Sequence, residues 1–358
     1  MTDAAIDFRS SETHLLLNPR MPADERVRLE ELARAATLDA HVWIATSGTT
    51  GSLKLTALSK EALLASAAAV NRHLEARPQD TWCCVLPTFH VGGLGIHARA
   101  LLAGAAVVSI EWEARRFADV CASEQIAFSA LVPAQVTDLV RERLAAPRSL
   151  RAIVVGGGAL ADSLFEEARA LGWPLLRSYG MTECCSQVAT ASYASDELQV
   201  LSHLEVRTTD DGRLAIRGAS LLTGYALFVD DVASFVDPKV DGWFVSEDLG
   251  TVEGRVLRVE GRRGEFVKIG GESVDLKRLD RIVDEVLRET GGDAAVFAVA
   301  DARLGSVIHL AATREGIAEA FAARVLPFER PRAVHRVGAI PRSPLGKLLR
   351  AKLVAELA

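Results

Sequence analysis

From residue 41 to about residue 180, short apolar runs alternate with longer segments of helical character, and this alternation limits the possible folds more than any other feature. His41–Thr46 (HVWIAT) reads as a strand. Ser59–Leu74 reads as an alanine-rich helix capped by Ser59, Thr81–Leu86 as a strand and Gly95–Leu102 as a helix. The pattern continues through strand Ala105–Ile110, helix Phe117–Glu124, strand Phe128–Val132, helix Val136–Leu144, strand Ala152–Val155 and helix Ala161–Leu171. It ends in a strand stub at Leu175–Arg177. Strands that return through helices predict a largely parallel sheet covered by helices. A polar stretch containing helical Ala23–Ala36 comes before it. After residue 200 the texture changes to short strands punctuated by turn signals at Gly212, Gly224, Asp241-Gly242 and Glu253-Gly254. From Gly264 a smaller α+β unit begins, with helix Leu276–Arg288 and strands Ala295–Val299 and Val307–Ala311. A chain of 358 residues fits about two domains at ~150 residues each. With 49% hydrophobic residues, the core needs no metal or disulfide staple.

The chain is acidic, with Lys+Arg 41 against Asp+Glu 47 for a net charge of −6. That balance disfavours general binding to nucleic acid or anionic membranes and leaves room for a local basic pocket for a phosphate ligand. The five cysteines, at 83, 84, 121, 184 and 185, have neither a disulfide spacing nor a CxxC metal spacing. They read as buried thiols in a reducing compartment. The start, MTDAAIDFRS, has no apolar leader core, and the longest apolar run, near Ala100–Ile110, is too short to span a bilayer. A cytoplasmic protein without an integral membrane segment is expected.

Five motifs carry chemistry. SGTTGSLK, Ser47–Lys54, follows a strand and combines hydroxyls, two glycines and a lysine. Its backbone N–H groups suit phosphate oxygens, although it is not a Walker A loop and also reads as a flexible polar turn. YGMTE, Tyr179–Glu183, offers an aromatic ring, a hydroxyl at Thr182 and a carboxylate for a hard cation such as Mg²⁺. In GWFVSEDLG, Gly242–Gly250, Asp248 at a strand end suits ribose hydroxyls or is simply a turn acid. GRRGEFVKIGGE, Gly261–Glu272, sets Arg262 and Lys268 among glycines where the texture changes, as a hinge or a basic linker. PRSPLGKLLR, Pro341–Arg350, holds Lys347 on a Pro/Gly-shaped loop.

In this order and together, the five motifs resemble the core motifs of the adenylate-forming superfamily of acyl-CoA synthetases, adenylation domains and luciferases, over residues 41 to 353. The resemblance implies an α/β fold with layered sheets in a large N-terminal domain, shortened at its start, and a small mobile C-terminal α+β domain. It places the large domain at 1–261, the small one at 262–358 and a hinge at 262–264. It also implies ATP, Mg²⁺ and coenzyme A. An acid and ATP form an acyl-adenylate, and a thiol then displaces AMP. By resemblance, Ser47, Gly48, Thr49, Thr50, Gly51 and Lys54 cover the phosphates, while Thr182 and Glu183 bind phosphate and Mg²⁺. Asp248 and Arg262 hold the nucleotide; Gly157, Gly158, Tyr179 and Gly180 line the adenine and acyl pocket. Lys347 is the adenylation lysine, and Lys268, Gly270 and Gly271 lie in the segment that turns toward CoA. The chain departs from the pattern in three places: GSLK lacks the usual proline, Gly264 stands at the hinge, and only about forty residues precede the phosphate loop. The last of these leaves two alternatives open, a compensating homo-oligomer or weakened activity.

WCCVLPTFHVGGLGI, Trp82–Ile96, and SYGMTECCSQVAT, Ser178–Thr190, are most similar to the o-succinylbenzoate–CoA ligases of menaquinone biosynthesis. His90 matches the gate beside the acyl carboxylate. Arg99, nine residues on and on a mostly apolar helix, is the expected partner of the substrate's second, aromatic carboxylate, or else snorkels to solvent. The alternatives are an aryl- or short-acyl–CoA ligase and a degenerate adenylate-binding homologue.

Overall fold

The computed structural model describes all residues except 1–5, 20, 22, 48–52, 159, 230–231, 263–265, 270–271, 302–303, 326, 344–345 and 358. The chain forms two compact units, Met1–Ser246 with Gly250–Val259, and Glu247–Leu249 with Glu260–Ala358.

The first elements are β1 (His14–Leu16), α1 (Ala23–Ala35), β2 (His41–Ser47), β3 (Leu53–Ser59) and α2 (Lys60–Leu74). The alternating segment follows as β4 (Thr81–Cys84), α3 (Val91–Ala103), β5 (Val107–Ser109), α4 (Ala114–Ser123), β6 (Ile126–Leu131), α5 (Pro133–Arg141), β7 (Ala152–Val155) and α6 (Asp162–Ala170). Next come β8 (Leu175–Met181), β9 (Ser186–Ser192), β10 (Ser195–Val200), β11 (Leu204–Thr208), β12 (Arg213–Gly218), β13 (Gly224–Val229), β14 (Val232–Val236), β15 (Phe244–Glu253) and β16 (Val256–Arg262). The eleven-stranded sheet runs β11-β12-β15-β16-β10-β9-β8-β7-β6-β4-β5. Its β8-β7-β6-β4-β5 portion is parallel, as the alternation predicts.

Every residue of β6 is buried. Phe128 and Ala130 pack on one face with Trp82, Ile96 and Ala100, whereas Ile126 and Leu131 pack on the other with Phe117, Phe165 and Trp173. A strand covered by helices on both sides has no polar face to show, which explains a run that is apolar except for Ser129, whose buried hydroxyl donates to the Cys83 carbonyl at 2.9 Å. Ser59 caps α2 as expected, its hydroxyl accepting from the Ala62 N–H at 3.0 Å.

Three expectations change. Leu53–Ser59 is a strand antiparallel to β2, so the first repeat is a hairpin rather than strand–loop–helix. This hairpin joins a separate five-stranded sheet, β1-β2-β3-β13-β14. The stub at Leu175–Arg177 is a full strand through Met181, and Tyr179 and Gly180 lie inside it. Gly224 is not a turn but the first residue of β13, where a Cβ would stand 2.5 Å from the Phe235 ring and 2.8 Å from the Val236 carbonyl oxygen.

The second unit contains β17 (Phe266–Ile269), β18 (Glu272–Asp275), α7 (Leu276–Thr290), β19 (Ala294–Asp301), β20 (Gly305–Ala312), α8 (Ile317–Ala322), β21 (Ala333–Arg336) and α9 (Arg350–Leu357). α7 presents Leu279, Val283 and Val286, spaced on one helical face, to Val296, Ile308 and Leu310 of the sheet. Among the described residues no helix is long and apolar enough to cross a membrane.

Candidate active site

Two motifs distant in sequence meet at Glu183. β2 and β3 pair from His41↔Ser59 to Ser47↔Leu53, which puts Lys54, opposite Thr46, at the closing end of their hairpin, on a strand and not in a loop. β8 and β9 form a second hairpin, closed by a single 3₁₀ turn, Thr182–Cys184, that carries the carboxylate. The Lys54 ammonium lies 3.8 Å from Glu183 Oε1 and 3.4 Å from the centroid of the Tyr225 ring. The Tyr225 hydroxyl donates to the same Oε1 at 2.8 Å.

The reversal at Glu183 is tight. A Cβ on Gly180 would stand 1.8 Å from the Ser186 carbonyl oxygen, so only glycine lets the two backbones approach this closely. Cys185 and Ser186 follow with φ of 55° and 115°, in the region non-glycine residues avoid. The Glu183 carbonyl accepts from the Leu222 N–H at 2.8 Å, anchoring the turn to the segment that enters β13.

The same hairpin meets α3. Arg99 is 1% exposed. Its Nη2 donates to Ser186 Oγ at 3.4 Å, and its guanidinium carbon is 5.8 Å from the Trp82 ring centroid. Nε and Nη1 are buried with no partner among the described residues, as is Trp82 Nε1. Gly95, one turn back, leaves it room, since a Cβ there would be 3.0 Å from Nη2. Burial lowers the Arg99 pKa to about 10, with Cys84 opposing, so the group stays charged at neutral pH. Its head therefore does not snorkel to solvent. His90 occupies the N-cap of α3 in an extended conformation without capping through its side chain. It is half-buried, with its ring 4.7 Å from that of Phe89, and burial lowers its pKa, which favours the neutral imidazole.

The remaining expected residues are placed as follows. Tyr179 is half-buried on β8 opposite Ala189, and Thr182 is half-buried at the start of the 3₁₀ turn. Gly157, at φ 77°, and Gly158 are exposed beyond β7, beside Gly156, whose Cβ would reach Ser178 at 3.7 Å. Asp248 is half-buried in the middle of the ten-residue strand β15, not at a strand end, because pairing continues through to Glu253. Lys347, in the second unit, is exposed on a turn in which its N–H donates to Ser343 Oγ at 3.1 Å and the Ser343 N–H donates to its carbonyl at 2.8 Å. Gly346, at φ 78°, supplies the reversal of that turn. Gly48, Thr49, Thr50, Gly51, Gly270 and Gly271 lie outside the described residues, as do the side chains of Ser47, Arg262 and Lys268. The hinge at 262–264 lies outside them apart from the end of β16 at Arg262.

Sequence reasoning missed Tyr225 and Ser186. Tyr225 follows a glycine that resembles a turn signal, and Ser186 is one of several small residues after YGMTE. Among the described residues no three His, Cys, Asp or Glu side chains cluster as a closed metal cage. A single carboxylate beside a phosphate-attracting lysine is the donor set Mg²⁺ takes when substrate phosphates and waters complete its shell, and Glu183 fits it.

Residues 11–226 match the family described as AMP-binding enzyme. The chain belongs to the AMP-binding enzyme family. The probable 2-succinylbenzoate–CoA ligase of Mycobacterium tuberculosis (strain H37Rv) is 32% identical over 345 residues, covering 89% of this chain and 85% of the relative. The 2-succinylbenzoate–CoA ligase of Bacillus licheniformis is 28% identical over 397 residues, covering 99% of this chain and 82% of the relative. The o-succinylbenzoate coenzyme A synthetase (MenE) from Bacillus subtilis, in complex with ATP and magnesium ion, matches with a TM-score of 0.76 at 25% identity, over 87% of this chain and 69% of that one. The same enzyme in complex with the acyl-adenylate intermediate OSB-AMP matches at 0.81 over 95% and 82%; at 22% identity this is a likeness of fold. That fold, large α/β sheets followed by a smaller C-terminal unit, is the one expected from the motifs.

Proposed function

We propose that this chain is an o-succinylbenzoate–CoA ligase of menaquinone biosynthesis. The succinyl carboxylate attacks the α-phosphate of ATP, forming the acyl-adenylate and releasing pyrophosphate. The CoA thiol then attacks the acyl carbon, and AMP leaves as the thioester forms. The reading rests above all on Arg99, a buried guanidinium beside the YGMTE hairpin, two of whose donor nitrogens have no partner among the described residues. A buried cation with unpaired donors is costly without an anion, and o-succinylbenzoate brings a second carboxylate to meet it.

The other roles follow from chemistry. Lys54 is drawn to the β- and γ-phosphates and leaves Glu183, with Ser47, Gly48, Thr49, Thr50 and Gly51 covering them. Mg²⁺, when bound at Glu183, neutralises the charge that accumulates on the phosphate oxygens. Neutral His90 stands beside the activated carboxylate without competing with Arg99 for charge. Asp248 and Arg262 hold the nucleotide, and Tyr179 and Gly180 border the acyl group. Lys347 bridges the carboxylate and α-phosphate, then withdraws as the C-terminal domain, 262–358, turns and brings Lys268, Gly270 and Gly271 toward CoA. ATP–pyrophosphate exchange tests the assignment. Exchange supported by o-succinylbenzoate and not by benzoate is expected; equal or stronger exchange with benzoate would favour an aryl–CoA ligase.

A further inference from the structure

Tyr225 touches both charged groups of the candidate ATP site. Its hydroxyl donates to Glu183 Oε1 at 2.8 Å, and its ring face lies 3.4 Å beneath the Lys54 ammonium. Three main-chain contacts fix the ring relative to those groups. The Leu222 N–H donates to the Glu183 carbonyl at 2.8 Å, and the Thr223 N–H donates to the Ala57 carbonyl at 2.8 Å. Tyr225 itself pairs with Thr56, two residues along β3 from Lys54. Lys239 closes the segment from the other side, its ammonium donating to the Leu222 carbonyl at 2.7 Å and the Thr223 carbonyl at 3.2 Å. Glu183, Lys54 and Tyr225 are thus held by one framework, although they come from three distant stretches of sequence.

We propose that Tyr225 is a positioning residue for ATP binding, holding Glu183 by its hydroxyl and storing Lys54 on its ring; the proposal rests on the ATP-binding roles given above to those two residues. One hydrogen bond to Oε1 fixes the carboxylate plane and leaves Oε2 for a hard cation. The ring face holds the ammonium, 3.4 Å from its centroid, next to its destination. When the triphosphate arrives, Lys54 exchanges the ring and Oε1 for phosphate oxygens, and the tyrosine keeps Glu183 from following it.

Substituting Tyr225→Phe removes the hydroxyl and keeps the ring, whereas Tyr225→Leu removes both. Calorimetric titration of ATP, with and without Mg²⁺, reads the first role. Tyr225→Phe is expected to weaken ATP binding about tenfold in Mg²⁺, the scale of a hydrogen bond to a charged group, and less than about twofold without it. In a Glu183→Gln background the Phe substitution is expected to cost nothing further. An unchanged Mg²⁺ dependence in Tyr225→Phe, or the same loss in the Glu183→Gln background, overturns the hydroxyl's role. NMR of ¹³C-lysine-labelled protein reads the second role. One lysine side chain, assigned through Lys54→Arg, is expected to be shifted upfield by the ring current in wild type and Tyr225→Phe, but not in Tyr225→Leu, and to lose the shift when ATP is added. No such lysine in wild type overturns the storage role. A wild-type protein that binds no ATP at all would instead overturn the proposed function.

Discussion

Replacing Arg99 by methionine is expected to stabilise the ligand-free protein while removing its selectivity for a dicarboxylate. The guanidinium is 1% exposed, and burial lowers its pKa from 12.5 to about 10. At ~1.4 kcal/mol per tenfold change, that gap corresponds to about 3 kcal/mol against holding the charge in place at neutral pH. The contacts that offset it are weak: a 3.4 Å hydrogen bond to Ser186 and a 5.8 Å approach to Trp82, together about 1–2 kcal/mol. Methionine fills the space of the aliphatic stem and leaves no donor unpaired. Thermal unfolding of the ligand-free variant should therefore show a gain of about 1–2 kcal/mol, or a few degrees in Tm. The opposite sign is expected for function. Losing one partner of a buried charged pair costs about 2–5 kcal/mol, or roughly 30- to 5,000-fold in kcat/KM for o-succinylbenzoate. An analogue lacking the aromatic carboxylate should be affected only slightly. A variant destabilised by about 2 kcal/mol or more, or impaired equally with both substrates, would mean that Arg99 supports α3 rather than the ligand.

Lys347→Ala is expected to abolish pyrophosphate exchange and spare thioester formation from synthetic acyl-adenylate and CoA; failure of that bypass in a folded variant would reject the division of labour. Gly180→Ala puts a Cβ 1.8 Å from the Ser186 carbonyl oxygen, so a loss of about 3 kcal/mol in chemical denaturation is expected, together with weaker ATP·Mg²⁺ binding as the Glu183 turn shifts. His203, whose ring nitrogens are buried without partners among the described residues, has its pKa lowered by burial from 6.5 to about 4. Its neutral form is favoured in the fold, so stability is full above pH 6.5 and falls as the pH drops toward 4; His203→Gln is expected to flatten that decline in pH-dependent urea unfolding.

The parallel sheet was legible because its strands are buried on both faces. β6 has no outward residue, and runs such as Phe128–Val132 stand out against the helices between them. Short connections of mixed composition were less legible. β3, LKLTALS, lies between a glycine-rich loop and a helix cap, and its alternation of Leu53, Leu55 and Ala57 with Lys54 and Thr56 is short and merges into the loop motif. Its strand character comes from pairing with β2 and β13, which are tertiary partners. The site divides in the same way. Glu183, Lys54 and Arg99 were found because a charged residue in a glycine-rich or apolar setting is conspicuous. Tyr225 was missed because its role comes from a carboxylate 42 positions away in sequence. Gly180 had a readable motif, but the reason for the glycine, a backbone approach across a hairpin, appears only once β8 and β9 are paired.

The most direct measurement is the product formed when the purified protein is given o-succinylbenzoate, ATP, Mg²⁺ and CoA. Mass spectrometry should detect o-succinylbenzoyl-CoA, with AMP and pyrophosphate released in equal amounts, and competing benzoate should yield little thioester. AMP and pyrophosphate without thioester would contradict the ligase assignment, and benzoyl-CoA as the main product would contradict the role given to Arg99.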